Sequence, residues 1–335
     1  MKNILLIGGA GYVGTVLTSH LLKNGYIVTV LDSFVYKNQF AVQPYLGDPD
    51  YQLFYGDLCN THNLEKASKE VTDVIILGGL VGDPVTKMYP VESEIINDKG
   101  IKTCIDFFRG RNINKLIFIS TCSNYGLIKE HEIADENFQL TPLSLYANAK
   151  VSNEVYLLSQ NETANYTGVV LRFATAFGLS PRMRFDLTVS EFTRDLFFGK
   201  ELLVFDEHTW RPYCHLRDFA RLIEVVLNSE KEKVNFEVFN AGGDLNNFTK
   251  KMIVDEIFKY VPDGKVKYRR QGSDPRNYKV SFMKVKNLLG FEPLFSISDG
   301  ISELIEAFKI GAYSDSLTNN SKYGNYEVNY RYSKI

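Results

Sequence analysis

Hydroxyls and a thiol stand in a row at Ser120, Thr121, Cys122 and Ser123, where the apolar run LIFIS leaves what reads as a buried strand. Further on, in PLSLYANAK, Tyr146 and Lys150 are four apart, so a helix sets both on one face. A lysine ammonium near a phenol stabilises the phenolate, moving a group of ordinary pKa about 10 toward the range useful for proton transfer. Solvated helices carry the same pair by chance. It acquires meaning only if the hydroxyl row lies beside it and if something nearby can accept electrons.

The start of the chain offers a place for such an acceptor. Gly8, Gly11 and Gly14 in GGAGYVG, with Tyr12 and Val13 among them, follow a strand-like run and open a helix. Glycines let the backbone turn sharply and approach a pyrophosphate, and a helix N-terminus presents free N–H groups. Asp32, at the end of the second strand-like run, suits the ribose hydroxyls of an adenosine and would repel a 2'-phosphate, which favours NAD over NADP. Asp57 in YGDL, followed by Leu58, could reach the adenine, although a turn or helix-cap aspartate explains it equally. After Leu77, which would also line the cofactor, Gly78 and Gly79 supply small residues where a cofactor would pass, or simply a backbone turn.

These residues need elements to hold them. KNILLIG, YIVTVLD, YQLFYGD, DVIILGG, LIFIST and TGVVLRF read as near-continuous apolar strands of the kind buried on both faces, with amphipathic helices between them. The expected fold is an α/β Rossmann doubly wound parallel sheet, residues 1–176 with a return strand near 236–245. An interleaved, smaller α/β lobe is expected over 177–235 and about 246–315, with two helices, a strand and a Pro-containing loop after Thr249. Residues 316–335 form a Tyr- and Asn-rich tail expected to pack on the surface, since tails are usually poorly tied down.

In order along the chain, GGAGYVG, Asp32, GDL, STCSNYG, YANAK and LRFATAFG resemble the extended short-chain dehydrogenase/reductases, specifically the NAD-dependent epimerase/dehydratase family acting on nucleotide sugars. The resemblance spans nearly the full length. It implies Tyr146 as the acid/base toward a sugar hydroxyl, Lys150 as the holder of the cofactor ribose, and Thr121 as the hydroxyl that orients the sugar. It further implies Ser120 on the cofactor side, Ser123 on the substrate side, and Arg172, Phe173 and Ala174 along the nicotinamide.

Dehydratases of that family carry aspartate and glutamate directly after the threonine. Cys122 and Ser123 stand there, and neither is a carboxylic acid. Cys122 is also one residue away from the slot of a catalytic cysteine, and reads as a small buried hydrophobe. What remains, Thr121 with Tyr146, suits hydride movement at a single carbinol carbon, C4: a 4-epimerase or 4-dehydrogenase, most similar to members in heptose and deoxysugar pathways of capsule and lipopolysaccharide type. A 4-keto-sugar reductase, a 4,6-dehydratase and a non-catalytic NAD-binding protein are the competing readings. Gly78, Gly79 and Asn124 depart from the family's usual residues and are expected to reshape the sugar pocket.

Arg182, Arg184, Arg211 and Arg276 sit in loops of a chain whose formal net charge is -2, so an anionic diphosphate must be held locally by such guanidinium forks. The same charge offers no bulk attraction to nucleic acid or an anionic membrane. No run of about 18 apolar residues suggests a membrane span. Four scattered cysteines without metal spacing argue against a disulfide framework or zinc site, and fit reduced thiols in a cytoplasm. The resemblance implies a homodimer formed through first-lobe helices.

Overall fold

The computed structural model describes residues 2–129, 131–270, 272, 274 and 276–330. Strands β1 (Asn3–Ile7), β2 (Ile27–Asp32), β3 (Tyr51–Tyr55), β4 (Asp73–Ile76), β5 (Lys115–Thr121) and β6 (Thr167–Phe173) are the six apolar runs read from the sequence. β7 (Thr175–Phe177), β8 (Leu202–Phe205) and β9 (Trp210–His215) follow, and then β10 (Glu237–Ala241), β11 (Asn247–Thr249) and β12 (Val266–Arg269). The main sheet has seven strands in the order β10-β6-β5-β4-β1-β2-β3. Every pairing within it is parallel.

Such a sheet needs apolar residues on both faces, because helices cover both. In β1, Ile4 and Leu6 face the layer holding Leu17 and Leu21 of the helix Tyr12–Lys23 and Phe219, Ile223 and Val226 of the helix Leu216–Asn228. Leu5 and Ile7 face the opposite layer, with Ile101, Ile105 and Phe108 of one helix and Leu157 of another. The fold is therefore the expected doubly wound Rossmann sheet, with β10 as the late return strand.

β7 leaves the main sheet to join a three-stranded sheet in the order β11-β9-β7, and β8 pairs with β12. A separate core of Phe192, Leu196, Val204, Tyr213, Ile253, Ile257 and Ile301 holds this smaller region together. After β11 the chain forms helices at Lys250–Phe258, Met283–Leu289 and Ile297–Lys309, one more than expected. The extra one, Met283–Leu289, is two turns long and closes with Gly290 in the left-handed region (φ 64°), a short element with little periodic signal. Among the described residues no helix is long and apolar enough to cross a membrane.

The tail also departs from expectation. Tyr323 and Asn325 are buried. Val328 and Tyr330 pack against the core layer containing Leu58 and Ile96.

Candidate functional site

A cavity of about 600 Å³ opens at the carboxyl ends of β1, β2, β4, β5 and β6, where doubly wound sheets place their ligands. The glycine turn forms one end. Gly8 adopts φ 82°, and a Cβ there would come within 2.4 Å of the Cα of Gly78, so the turns after β1 and β4 touch backbone to backbone. Gly11 is different: its φ is −80° and a Cβ would meet only the Gly8 carbonyl at 3.6 Å. No internal contact demands glycine there. What its missing side chain keeps open is the cavity itself.

Asp32 lines the same end, with its Oδ2 accepting from the Ala10 N–H (2.9 Å) and its Oδ1 from the Phe34 N–H (2.8 Å). Burial raises its pKa, and those backbone donors work against that shift. Asp57 accepts the Cys59 N–H on Oδ1 at 2.9 Å, and Leu58, Leu77 and Gly79 complete the wall. Tyr12 donates its hydroxyl to the Gly178 carbonyl at 2.7 Å, joining the start of the helix to the loop after β7. Val13 and Gly14 line the cavity beside it.

β5 ends at Thr121, whose Oγ1 accepts the Ser123 N–H at 3.1 Å and so caps the short 3-10 turn Cys122–Tyr125. Thr121 and Ser123 face the cavity. Cys122 does not: it is buried, its Sγ donates to the Arg172 carbonyl at 3.1 Å, and burial raises the thiol well above its ordinary range. Ser144 caps the helix Leu145–Leu158 by accepting the Ala147 N–H at 3.2 Å, and that helix carries Tyr146 and Lys150 to the cavity wall. Lys150 Nζ donates to the Ile119 carbonyl at 2.6 Å and lies 5.8 Å from the centre of the Tyr146 ring. Burial pulls Lys150 down to about 8, although Glu154 works the other way. Burial pushes the Tyr146 phenol up, with Arg184 opposing.

Two expectations about this wall are corrected. Arg172 turns away from the cavity, because adjacent strand residues face opposite ways: Phe173 lines the cavity while Arg172 forms a buried ion pair with Glu154 at 2.8 Å. Asn124 is fully buried and donates to Glu154 Oε1 at 2.7 Å, so it shapes the support of β5 and not the sugar pocket. Ser120 also bonds Glu154 while touching the cavity. The Glu154 network carried no sequence signal, being assembled from β5, the 3-10 turn after it, the helix Leu145–Leu158 and β6.

At the opposite end the walls are charged. Arg211 reaches Asp274 Oδ2 at 3.1 Å, and Arg276 reaches Asp274 Oδ1 at 2.8 Å and Asp83 Oδ2 at 3.1 Å. Ser123 Oγ accepts from Arg276 at 3.3 Å. Burial works to raise the Asp274 carboxyl, but the two guanidinium groups overcome it and hold it well below the carboxylate range. Lys250 joins this cluster, donating to the Phe205 carbonyl at 2.7 Å, its pKa lowered by burial and by Arg211. Asp83, Asp274, Lys250 and Tyr278 were missed in the sequence; the two-residue spacing of Asp274 and Arg276 in DPR was the one available hint.

Arg182 and Arg184 lie elsewhere on the wall. Arg182, only 2% exposed, donates to the carbonyls of Met183 (2.7 Å) and Gly324 (2.9 Å). Arg184 pairs with Asp186 at 2.6 Å and approaches the Val81 carbonyl at 3.5 Å. His215, completely buried, accepts the Arg217 N–H at 3.1 Å and meets Glu303 at 3.2 Å, which makes it a structural histidine. Among the described residues no three His, Cys, Asp or Glu side chains gather as a metal site needs.

A parallel doubly wound sheet with a glycine turn, an acidic residue after β2 and a Tyr/Lys helix defines a dinucleotide-dependent enzyme architecture. The model of the NAD dependent epimerase/dehydratase family matches residues 4–242, and the chain belongs to that family. It is 27% identical over 310 residues to a UDP-glucose 4-epimerase of Corynebacterium glutamicum, covering 87% of this chain and 90% of that protein. It is 26% identical over 332 residues to a dTDP-glucose 4,6-dehydratase of Streptomyces niveus, covering 91% and 92%. The crystal structure of a dTDP-glucose 4,6-dehydratase from Bacillus anthracis in complex with NAD superposes with a TM-score of 0.83 over 96% of this chain and all of that one, at 23% identity. NAD is the family's cofactor, and the open space above Gly11 fits its close approach. Epimerases and dehydratases both stand among the relatives.

Proposed function

We propose that the protein carries out NAD-dependent oxidoreduction at C4 of a nucleotide-activated sugar, as a 4-epimerase or 4-dehydrogenase. The observation that carries this reading is the β5 terminus: Thr121 faces the cavity that holds Tyr146, while the two positions after it are a thiol turned into the core and a serine hydroxyl. Water elimination across C5 and C6 requires a carboxylic acid at the sugar. Among the other carboxylates at the cavity, Asp83 and Asp274 are paired with arginines, Asp186 is paired with Arg184, and Asp32 and Asp57 accept backbone N–H groups at the glycine-turn end. Glu191 also lines the cavity with its carboxyl raised by burial, and it is the acid that a dehydratase reading would have to use.

The residues divide the work. Bound NAD supplies a hydride acceptor. Thr121 holds the C4 hydroxyl, Tyr146 takes its proton, and Lys150 contacts the cofactor ribose and favours the phenolate. Gly8, Gly11, Tyr12, Val13 and Gly14 cradle the pyrophosphate, with Asp32 and Asp57 at the adenosine and Leu58, Leu77, Gly78, Gly79, Ser120 and Phe173 along the rest. Ser123, Arg211 and Arg276 hold the sugar diphosphate; Arg184 borders both ligands. A homodimer built through the tyrosine-bearing helix is supported by Val155, which leaves an apolar side chain 63% exposed on that helix.

The decisive experiment is incubation in deuterated water with GDP-, UDP-, dTDP- and CDP-sugars, with and without added NAD, followed by mass spectrometry and proton NMR. A 4-ketone or 4-epimer without deuterium at C3 or C5 is expected. Loss of water or deuterium beside C4 overturns the reading, and net consumption of NADH on a 4-keto sugar identifies a reductase instead. Tyr146→Phe should lower turnover by about 10³-fold while NAD binding persists.

A further inference from the structure

The segment 323–330 is fastened to the cavity at several points. The Tyr323 carbonyl accepts the Phe185 N–H at 2.7 Å. Arg182 donates to the Gly324 carbonyl at 2.9 Å and to Asn325 Oδ1 at 3.2 Å. Asn325 donates its N–H to Asp186 at 3.2 Å and its Nδ2 to the Val81 carbonyl at 3.0 Å. Beyond it, Asn329 N donates to the Val35 carbonyl at 2.7 Å and the Tyr330 hydroxyl to Asp57 Oδ2 at 2.7 Å. Val35, Asp57 and Val81 belong to the loops after β2, β3 and β4, which are the loops that border a dinucleotide. Asn325 and Tyr326 line the same cavity as Gly11 and Asp32.

We propose that residues 323–330 form the fixed outer wall of the NAD site, with Tyr330 positioning Asp57 at the adenosine end and Asn325 tying the wall to the loop after β4, so that NAD stays bound from one turnover to the next. Release of NAD then requires these bonds to open together. For the function proposed above, on which this consequence rests, a resident cofactor selects epimerisation. The hydride removed from C4 returns to the same carbon on the opposite face, the hydroxyl proton returns from Tyr146 to the oxygen, and no external oxidant is consumed. A 4-dehydrogenase would instead have to exchange its cofactor every cycle.

The test uses full-length protein isolated with NAD bound and no sugar present. Released NAD is trapped by ethanol and an excess of alcohol dehydrogenase and read as NADH. Wild-type release should be slower than turnover, and the double variant Asn325→Ala/Tyr330→Phe should release NAD about tenfold faster or more. Tyr330→Phe alone keeps the ring and the Arg182 anchor, so it guards against misfolding of the double variant; it should speed release about threefold or more. Release from both variants at the wild-type rate, or wild-type exchange within one turnover, overturns the proposal. The comparison of variant with wild-type release uses no sugar, so absent turnover would count against C4 chemistry without touching that comparison.

Discussion

The two ends of the cavity keep positive charge in opposite ways. At the cofactor end Lys150 is buried against the Ile119 carbonyl, and the desolvation shows as a pKa lowered to about 8. At the sugar end Arg276 and Arg211 share Asp274, and Arg276 also holds Asp83, so their charges are neutralised before any ligand arrives. A site built for a resident ligand can leave a cation waiting for it. A site that empties every cycle has to remain stable between substrates, and paired arginines provide that.

The largest expected effect breaks the cofactor end at its backbone. Gly8→Ala places a Cβ 2.4 Å from the Cα of Gly78 at a residue whose φ is 82°. Left-handed strain and overpacking together should cost about 4 kcal/mol, read in denaturant titration. Gly11→Ala is its control: with φ −80° and no close neighbour it should alter stability by less than about 1 kcal/mol while weakening NAD binding. Equal destabilisation by the two would mean that Gly11 serves the fold and not the cofactor.

Lys150 offers a pH-dependent version of the comparison. Its folded pKa lies below the usual 10.5, so the unfolded chain binds more protons between about 8 and 10.5. Apoprotein stability should therefore rise with pH across that window, and the penalty should be fully present below pH 8. The shift corresponds to at most about 3 kcal/mol. Lys150→Met apoprotein should lose this rise, as followed by thermal melts from pH 7 to 10.5; an unchanged slope would show that the lysine is not the buried cation responsible.

The same contrast explains what could be read from the sequence. The cofactor end is local: β1, the turn and the helix lie within residues 3–23, and Tyr146 and Lys150 are one helical turn apart. Spacing rules reach that far. Asp83 meets Arg276, and Arg182 meets Asn325, across well over a hundred residues in each case, and no periodicity brings them together. The resemblance puts Arg172, Phe173 and Ala174 together along the nicotinamide, whereas strand alternation sends Arg172 to Glu154. Composition alone describes the tail as a surface segment, and its Tyr and Asn side chains find partners only in the folded molecule.

Arg276→Ala probes the sugar end with a smaller effect. Removing the guanidinium leaves Asp83 without its arginine, and Asp274 with Arg211 alone. A diphosphate would then meet two poorly compensated carboxylates in place of a fork, so KM for the nucleotide sugar should rise about tenfold, near 1.4 kcal/mol. Arg276→Lys keeps the charge but loses the fork, and should recover only part of this. NAD content, measured on the purified variants, should be unchanged, because Arg276 touches none of the loops after β1, β2 or β3. If NAD content fell together with sugar affinity, the two ends would be one coupled site. The pairing of Arg276 with Asp83, which follows β4, would then be the connection, and Asp83→Asn would reproduce the loss.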